Sequence, residues 1–174
     1  MHALAEAYAV GAASAGHEVR VIRVAALDFP IIRTREEWEH QKPPADIVEA
    51  QDAVKWAQHV VLLYPLWLGD VPALLKGFLE QLSRPGFAFE YDNRGGTRTL
   101  LDGRSARVIV TMGMPAPFYS WFYRAHSLKS LERNVLKMIG FGAVRHSLIG
   151  MVEGSAGHRE RWLDRIRELG RRAR

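Results

Sequence analysis

The chain has 174 residues and no cysteine. That excludes a disulfide framework, a thiolate metal site and a cysteine nucleophile. No apolar run approaches the roughly 20 residues a membrane span needs. The opening stretch MHALAEAYAVGAASAGHE lacks a basic segment followed by an apolar one, so it does not read as a secretory leader. The seven histidines include no HxH or HExxH spacing, which argues against a metal site, and no Walker sequence or GxGxxG cradle occurs. Glu36, Glu37, Glu39 and His40 read as a solvated cluster. Ser83 and Ser105 lack the setting of a nucleophile elbow. Disorder is also excluded, because 48% of residues are hydrophobic and 10% aromatic. A chain of this length buries roughly 70% of its unfolded surface. The expectation is one cytoplasmic domain covering residues 1–174.

The net charge is +5, but residues 158–174 alone carry seven arginines against three acids. An arginine-rich terminal helix reads as a solvated face, and no nucleic-acid partner is expected.

Hydropathy patterning predicts alternating elements. Ala3 to Ala15 suits a helix with Gly16 as its C-cap, and Val19, Val21, Ile22 and Val24 form a β-branched run read as a strand over 19–24. Residues 30–45 read as irregular. Asp46 is expected to cap a helix reaching Gln58. His59 to Tyr64 is a continuous apolar run of the kind found in buried parallel strands. Positions 74, 75, 78, 79 and 82 form one helical stripe with Pro72 in its first turn. Residues 87–103, with Gly95-Gly96, read as a hairpin excursion. Strands follow at 107–111 and 144–149. A helix over 128–138 lies between them, and Ser155 caps a terminal helix. Strands alternating with helices imply an α/β fold with a doubly wound parallel sheet, an α/β/α sandwich.

In such sheets ligands bind beyond the carboxyl ends of the strands. That rule selects loop 65–70 and loop 111–119. The first reads Pro-Leu-Trp-Leu-Gly-Asp, where a rigid turn could aim backbone amides outward beside the Trp67 face. The second holds Gly113, which permits close approach of a ligand to the backbone. Tyr119 and, seven residues on, His126 could supply protons to a reduced product. Packing roles for Trp67, Tyr119 and His126 fit the pattern equally well.

Tyr64-Pro65-Leu66-Trp67-Leu68-Gly69-Asp70-Val71-Pro72-Ala73-Leu74-Leu75-Lys76-Gly77-Phe78 resembles the signature of the flavodoxin-like NAD(P)H:quinone oxidoreductases. That family includes DT-diaphorase and ancillary subunits of bacterial potassium-efflux systems. The likeness continues through Arg84-Pro85-Gly86-Phe87-Ala88-Phe89, Thr111-x-Gly113 and Ala15-Gly16-His17-Glu18-Val19. The resemblance implies a flavin, FAD or FMN, with NAD(P)H as co-substrate. It implies cofactor contacts from Pro65, Leu66, Trp67, Leu68, Thr111, Met112 and Gly113. Tyr119 falls where the family lines its substrate side, and the accompanying histidine is displaced by one position, at His126. The implied reaction is a two-electron, ping-pong hydride transfer to a quinone or similar acceptor, in a homodimer.

One departure stands out. The family begins with a central strand and a flavin-phosphate loop, whereas this sequence begins within the helix that follows them. In the family's strand order the absent strand lies between 19–24 and 59–64, leaving a gap in the sheet. The expectation is that the true start lies upstream or that another segment fills the gap. The alternative is a non-catalytic ancillary subunit, or a truncated copy without cofactor.

Overall fold

The computed structural model describes residues 1–92 and 96–173. Gly95 and Arg174 therefore lie outside the described residues. A parallel sheet forms the middle layer, in the order β1 (His59–Pro65), β4 (Ser105–Thr111), β5 (Val144–Ile149). Leu62 pairs with Val108, and Val108 with His146. A separate antiparallel hairpin joins β2 (Phe89–Tyr91) to β3 (Thr97–Thr99).

Alternation along the strands divides the core into two clusters. Val60, Leu62, Tyr64, Val108, Val110 and Leu148 meet α3 (Ala45–Trp56) and α4 (Ala73–Leu82). The opposite residues Val61, Leu63, Ile109 and Ile149 meet α1 (His2–Ser14) and α7 (Ala156–Arg171). α1 and α7 touch backbone to backbone. A Cβ on Gly11 would strike the carbonyl of Arg167, and one on Gly170 the carbonyl of Tyr8. The α/β/α sandwich is the expected architecture.

The run at 19–24 does not form a strand. Residues 17–23 carry no ladder, and a short 3₁₀ turn occupies Val24–Ala26. β-Branched residues favour a strand only where a neighbouring strand accepts their backbone. Among the described residues β1 pairs with β4 alone and forms the sheet edge. Its side chains are mostly half-buried, whereas those of β4 are almost wholly buried. The segment is held by side chains instead. Arg20 stacks on Trp56 at 4.2 Å, and Ile22 packs on the core.

Other boundaries also shift. Pro44, not Asp46, precedes α3, and the Asp46 carboxylate accepts the Asp28 amide at 2.7 Å. Within 30–45 a short helix α2 (Arg35–Glu39) forms, capped by Thr34, whose hydroxyl accepts the Glu37 amide. Buried Arg84 fixes this segment by donating to the carbonyls of Glu37 and Gln41 at 2.6 and 2.7 Å. The helix expected at 128–138 is composite: α6 (His126–Ser130) runs into a π-helix, Leu131–Lys137. Ser155 caps α7 as expected, accepting the His158 amide; such a cap contributes about 1 kcal/mol.

Candidate functional site

Three loops gather at the carboxyl ends of β1, β4 and β5. The Leu66 amide donates to the Thr111 carbonyl at 2.8 Å, which ties the loop after β1 to the end of β4. The Met112 amide donates to the Ile149 carbonyl at 2.9 Å. The amides of Val152 and Met151 return to the carbonyls of Met112 and Met114, each at 3.2 Å. Gly150 makes this closeness possible. A Cβ there would lie 2.8 Å from the Met114 carbonyl oxygen, 3.0 Å from the Pro115 carbonyl carbon and against the Ala116 nitrogen.

The loop after β1 is a tight turn. Trp67 and Asp70 exchange backbone hydrogen bonds at 3.0 and 2.9 Å, and the two residues between them both have positive φ, Leu68 at 50° and Gly69 at 82°. That is the signature of a type I′ turn. Leucine in this conformation is strained and here fully exposed, an unfavourable combination that marks functional loops. The amides of Leu66, Trp67 and Asp70 are consumed within the protein. Those of Leu68 and Gly69 have no protein partner among the described residues. Beside them the Trp67 indole is 63% exposed.

Across the cleft, Thr111 and Met112 are buried, 3% exposed each. The Thr111 hydroxyl donates to the Met1 Sδ at 3.1 Å, and Met112 packs in the core. Gly113 is exposed, and a Cβ on it would meet nothing within 4 Å.

The residues expected as proton donors differ in exposure. Tyr119, on α5 (Ala116–Trp121), is 0% exposed. Its hydroxyl bonds the Ser127 Oγ at 2.7 Å and accepts the Leu128 amide at 3.2 Å. That hydroxyl anchors the start of α6. His126 is exposed, with its Nδ1 2.9 Å from the Tyr123 carbonyl. Between them Arg124 and Ala125 both adopt positive φ. Phe118, Trp121 and Phe122 expose 44%, 81% and 61% of their surface, and the rings of Phe118 and Phe122 stack at 5.0 Å.

Two features escape the sequence reading. The Gly150–Val152 backbone holds the loop after β4 through the Met151 and Val152 amides, and the glycine directly after the strand at 144–149 is its only sequence signal. Tyr64, 1% exposed at the end of β1, carries a hydroxyl with no partner among the described residues, and burial pushes its pKa well up. Among the described residues no group of three His, Asp or Glu side chains could hold a metal. No helix among them is long and apolar enough to cross a membrane. The cleft therefore offers fixed main-chain donors and an aromatic wall, a set suited to a flat heterocycle with polar edges.

A family model described as flavodoxin-like fold matches residues 1–169. An uncharacterized NAD(P)H oxidoreductase of Haemophilus influenzae is 32% identical over 108 residues, 62% of this chain and 53% of that protein. An FMN-dependent NADH:quinone oxidoreductase of Ruegeria pomeroyi is 38% identical over 58 residues, 33% of this chain and 28% of that protein. The matched region thus spans about half of one curated relative and under a third of the other. The solved structure of an NAD(P)H:quinone oxidoreductase from Methanothermobacter marburgensis superposes with a TM-score of 0.85 at 27% identity, covering 99% of this chain and 91% of that one.

Proposed function

The chain belongs to the flavodoxin-like fold family, and on that premise we propose that it is a flavin-dependent oxidoreductase. It would pass a hydride from NAD(P)H to a quinone or similar acceptor in the cytoplasm. The observation that carries the reading is the pair of amides at Leu68 and Gly69, without partners among the described residues, beside the exposed Trp67, with Gly113 open on the loop that the Leu66–Thr111 bond ties to theirs. The names of the relatives and of the solved structure support the same activity, and the name of the Ruegeria pomeroyi protein favours FMN over FAD.

The residues present fit an isoalloxazine ring. Bound there, a flavin supplies two-electron exchange between nicotinamide and acceptor. The chain's own part is positional and electrostatic. The Leu68 and Gly69 amides offer hydrogen bonds that do not titrate and need no reorganisation when charge develops. Trp67 walls one side and keeps water from it. Gly113 lets the ligand approach the backbone. Pro65, Leu66, Thr111 and Met112 hold the two loops in register rather than reaching the ring with side chains. Tyr119 is a positioning residue, because its hydroxyl is spent on α6. His126 is the exposed group left to exchange a proton with a bound acceptor. A second copy across the Phe118–Phe122 face would enclose the cleft.

The ancillary, cofactor-free reading has one observation in its favour, the unpaired outer edge of β1. Titration with FMN and with lumiflavin, which is the ring without its side chain, separates the two. The proposal expects saturable quenching of lumiflavin fluorescence, and NAD(P)H oxidation by a quinone in the presence of FMN. A chain that quenches neither flavin contradicts it.

A further inference from the structure

A cleft of about 350 Å³ lies between the C-terminal half of α4, the π-helix at 131–137 and the segment 32–38. None of its lining residues belongs to the three loops above. Its walls are mainly apolar, formed by Ile32, Trp38, Leu79 and Val135. The volume falls within the range of small-molecule sites, which are typically apolar with a few placed polar groups.

Three details go beyond size. First, Ser83 lines the cleft, is 6% exposed and carries a hydroxyl with no partner among the described residues. Buried hydroxyls are nearly always paired, so an orphan at a cleft wall calls for an explanation. Second, a full π-helix supplies Val135 and Asn134, and π-turns concentrate at functional sites. Third, the remaining polar groups cancel or are committed. Lys76 pairs with Glu80, and the Trp38 indole N–H donates to the Glu80 carbonyl at 3.2 Å. No net charge is left to select an ion; Asn134 donates to the Ser130 hydroxyl at 3.1 Å and is exposed at the rim, which leaves Ser83 as the buried hydrogen-bonding group for a ligand.

We propose that this cleft is a second small-molecule site, for a neutral aromatic compound of about two fused rings carrying one oxygen that bonds the Ser83 hydroxyl. Such a ligand would clamp α4, the π-helix and α2 together. The site is independent of the flavin reading, since it shares no residue with it.

The probe is 2-naphthol, titrated into the ¹⁵N-labelled full chain. The Trp38 indole N–H signal, identified by its loss in Trp38→Phe, is the local reporter. It should shift saturably, and naphthalene, which lacks the oxygen, should bind about three- to tenfold more weakly. Ser83→Ala removes an unsatisfied hydroxyl and so should fold at least as well as the parent. It should weaken 2-naphthol by the same factor and leave naphthalene unchanged. Val135→Phe, which fills the cleft, should weaken both more than tenfold. No saturable shift of Trp38 up to the solubility of 2-naphthol overturns the proposal. So does equal affinity for the two probes, or an unchanged 2-naphthol affinity in Ser83→Ala.

Discussion

Gly150→Ala is the sharpest perturbation of the loop cluster. The added methyl would sit 2.8 Å from the Met114 carbonyl oxygen and 3.0 Å from the Pro115 carbonyl carbon, and it would press on the Ala116 nitrogen. All three are backbone atoms, so no side chain can swing aside. Ordinary contact requires the 112–116 backbone to retreat by about 0.5 Å or more. Overpacking of this kind costs about 1–3 kcal/mol, or a fall in Tm of roughly 3–10 °C in a domain of this size. The same retreat moves Gly113 away from the turn at Leu68–Gly69. Sub-ångström misplacement of binding groups should weaken lumiflavin by about tenfold. The control is Gly170→Ala. Its methyl strikes the Tyr8 backbone in the packing of α1 on α7, away from the loops. It should lower Tm comparably and leave the lumiflavin affinity of the folded chain within about twofold. Differential scanning calorimetry paired with fluorescence titration reads both quantities. Equal loss of affinity in the two variants would refute the reasoning, because it would tie flavin binding to global stability instead of to the cleft.

Three further outcomes are expected. Trp67→Ala should cost under about 1 kcal/mol of stability, since the indole is 63% exposed, yet weaken lumiflavin at least fivefold; equal melting shifts with and without lumiflavin would make Trp67 a packing residue only. Tyr119→Phe leaves the Leu128 amide and Ser127 hydroxyl short of a partner and should cost about 1–3 kcal/mol, while leaving the pH profile of kcat unmoved; a displaced profile would restore Tyr119 to the chemistry. His59 has its pKa lowered to about 4, by burial first and then by the charges of Arg107 and Arg145. The unfolded chain therefore takes up this proton first. The contribution of His59 to stability is complete above about pH 6.5 and is lost as pH falls toward about 4, by about 1–2 kcal/mol after allowance for solvent screening. Unfolding curves of the parent and His59→Gln should diverge across that window, and parallel curves would contradict the assignment.

The sequence spelled out the layers where one local signal sufficed. The run at 59–64 is apolar on both faces, Val144, Leu148 and Ile149 mark the strand at 144–149, the α4 stripe is helical in period, and Ser155 is a cap in sequence and in structure. It misled where the outcome depends on a partner distant in the chain. Val19 to Val24 has strand composition, but among the described residues no strand lies alongside it to complete a ladder. Asp46 has capping chemistry, yet its carboxylate is taken by the Asp28 amide. Tyr119 reads as a loop tyrosine beside prolines, and only the fold of α6 back over it makes it wholly buried. In the cleft, Trp67 and Gly113 could be picked from pattern. Which amides remain open could not, because that depends on the Trp67–Asp70 exchange and the Leu66–Thr111 bond.

The amide spectrum of the ¹⁵N-labelled chain during a lumiflavin titration tests the central claim most directly. The Leu68, Gly69 and Gly113 amides should move first and furthest, while the Trp38 indole stays still. Saturable binding that leaves those three amides unmoved, or no binding at all, would contradict the account.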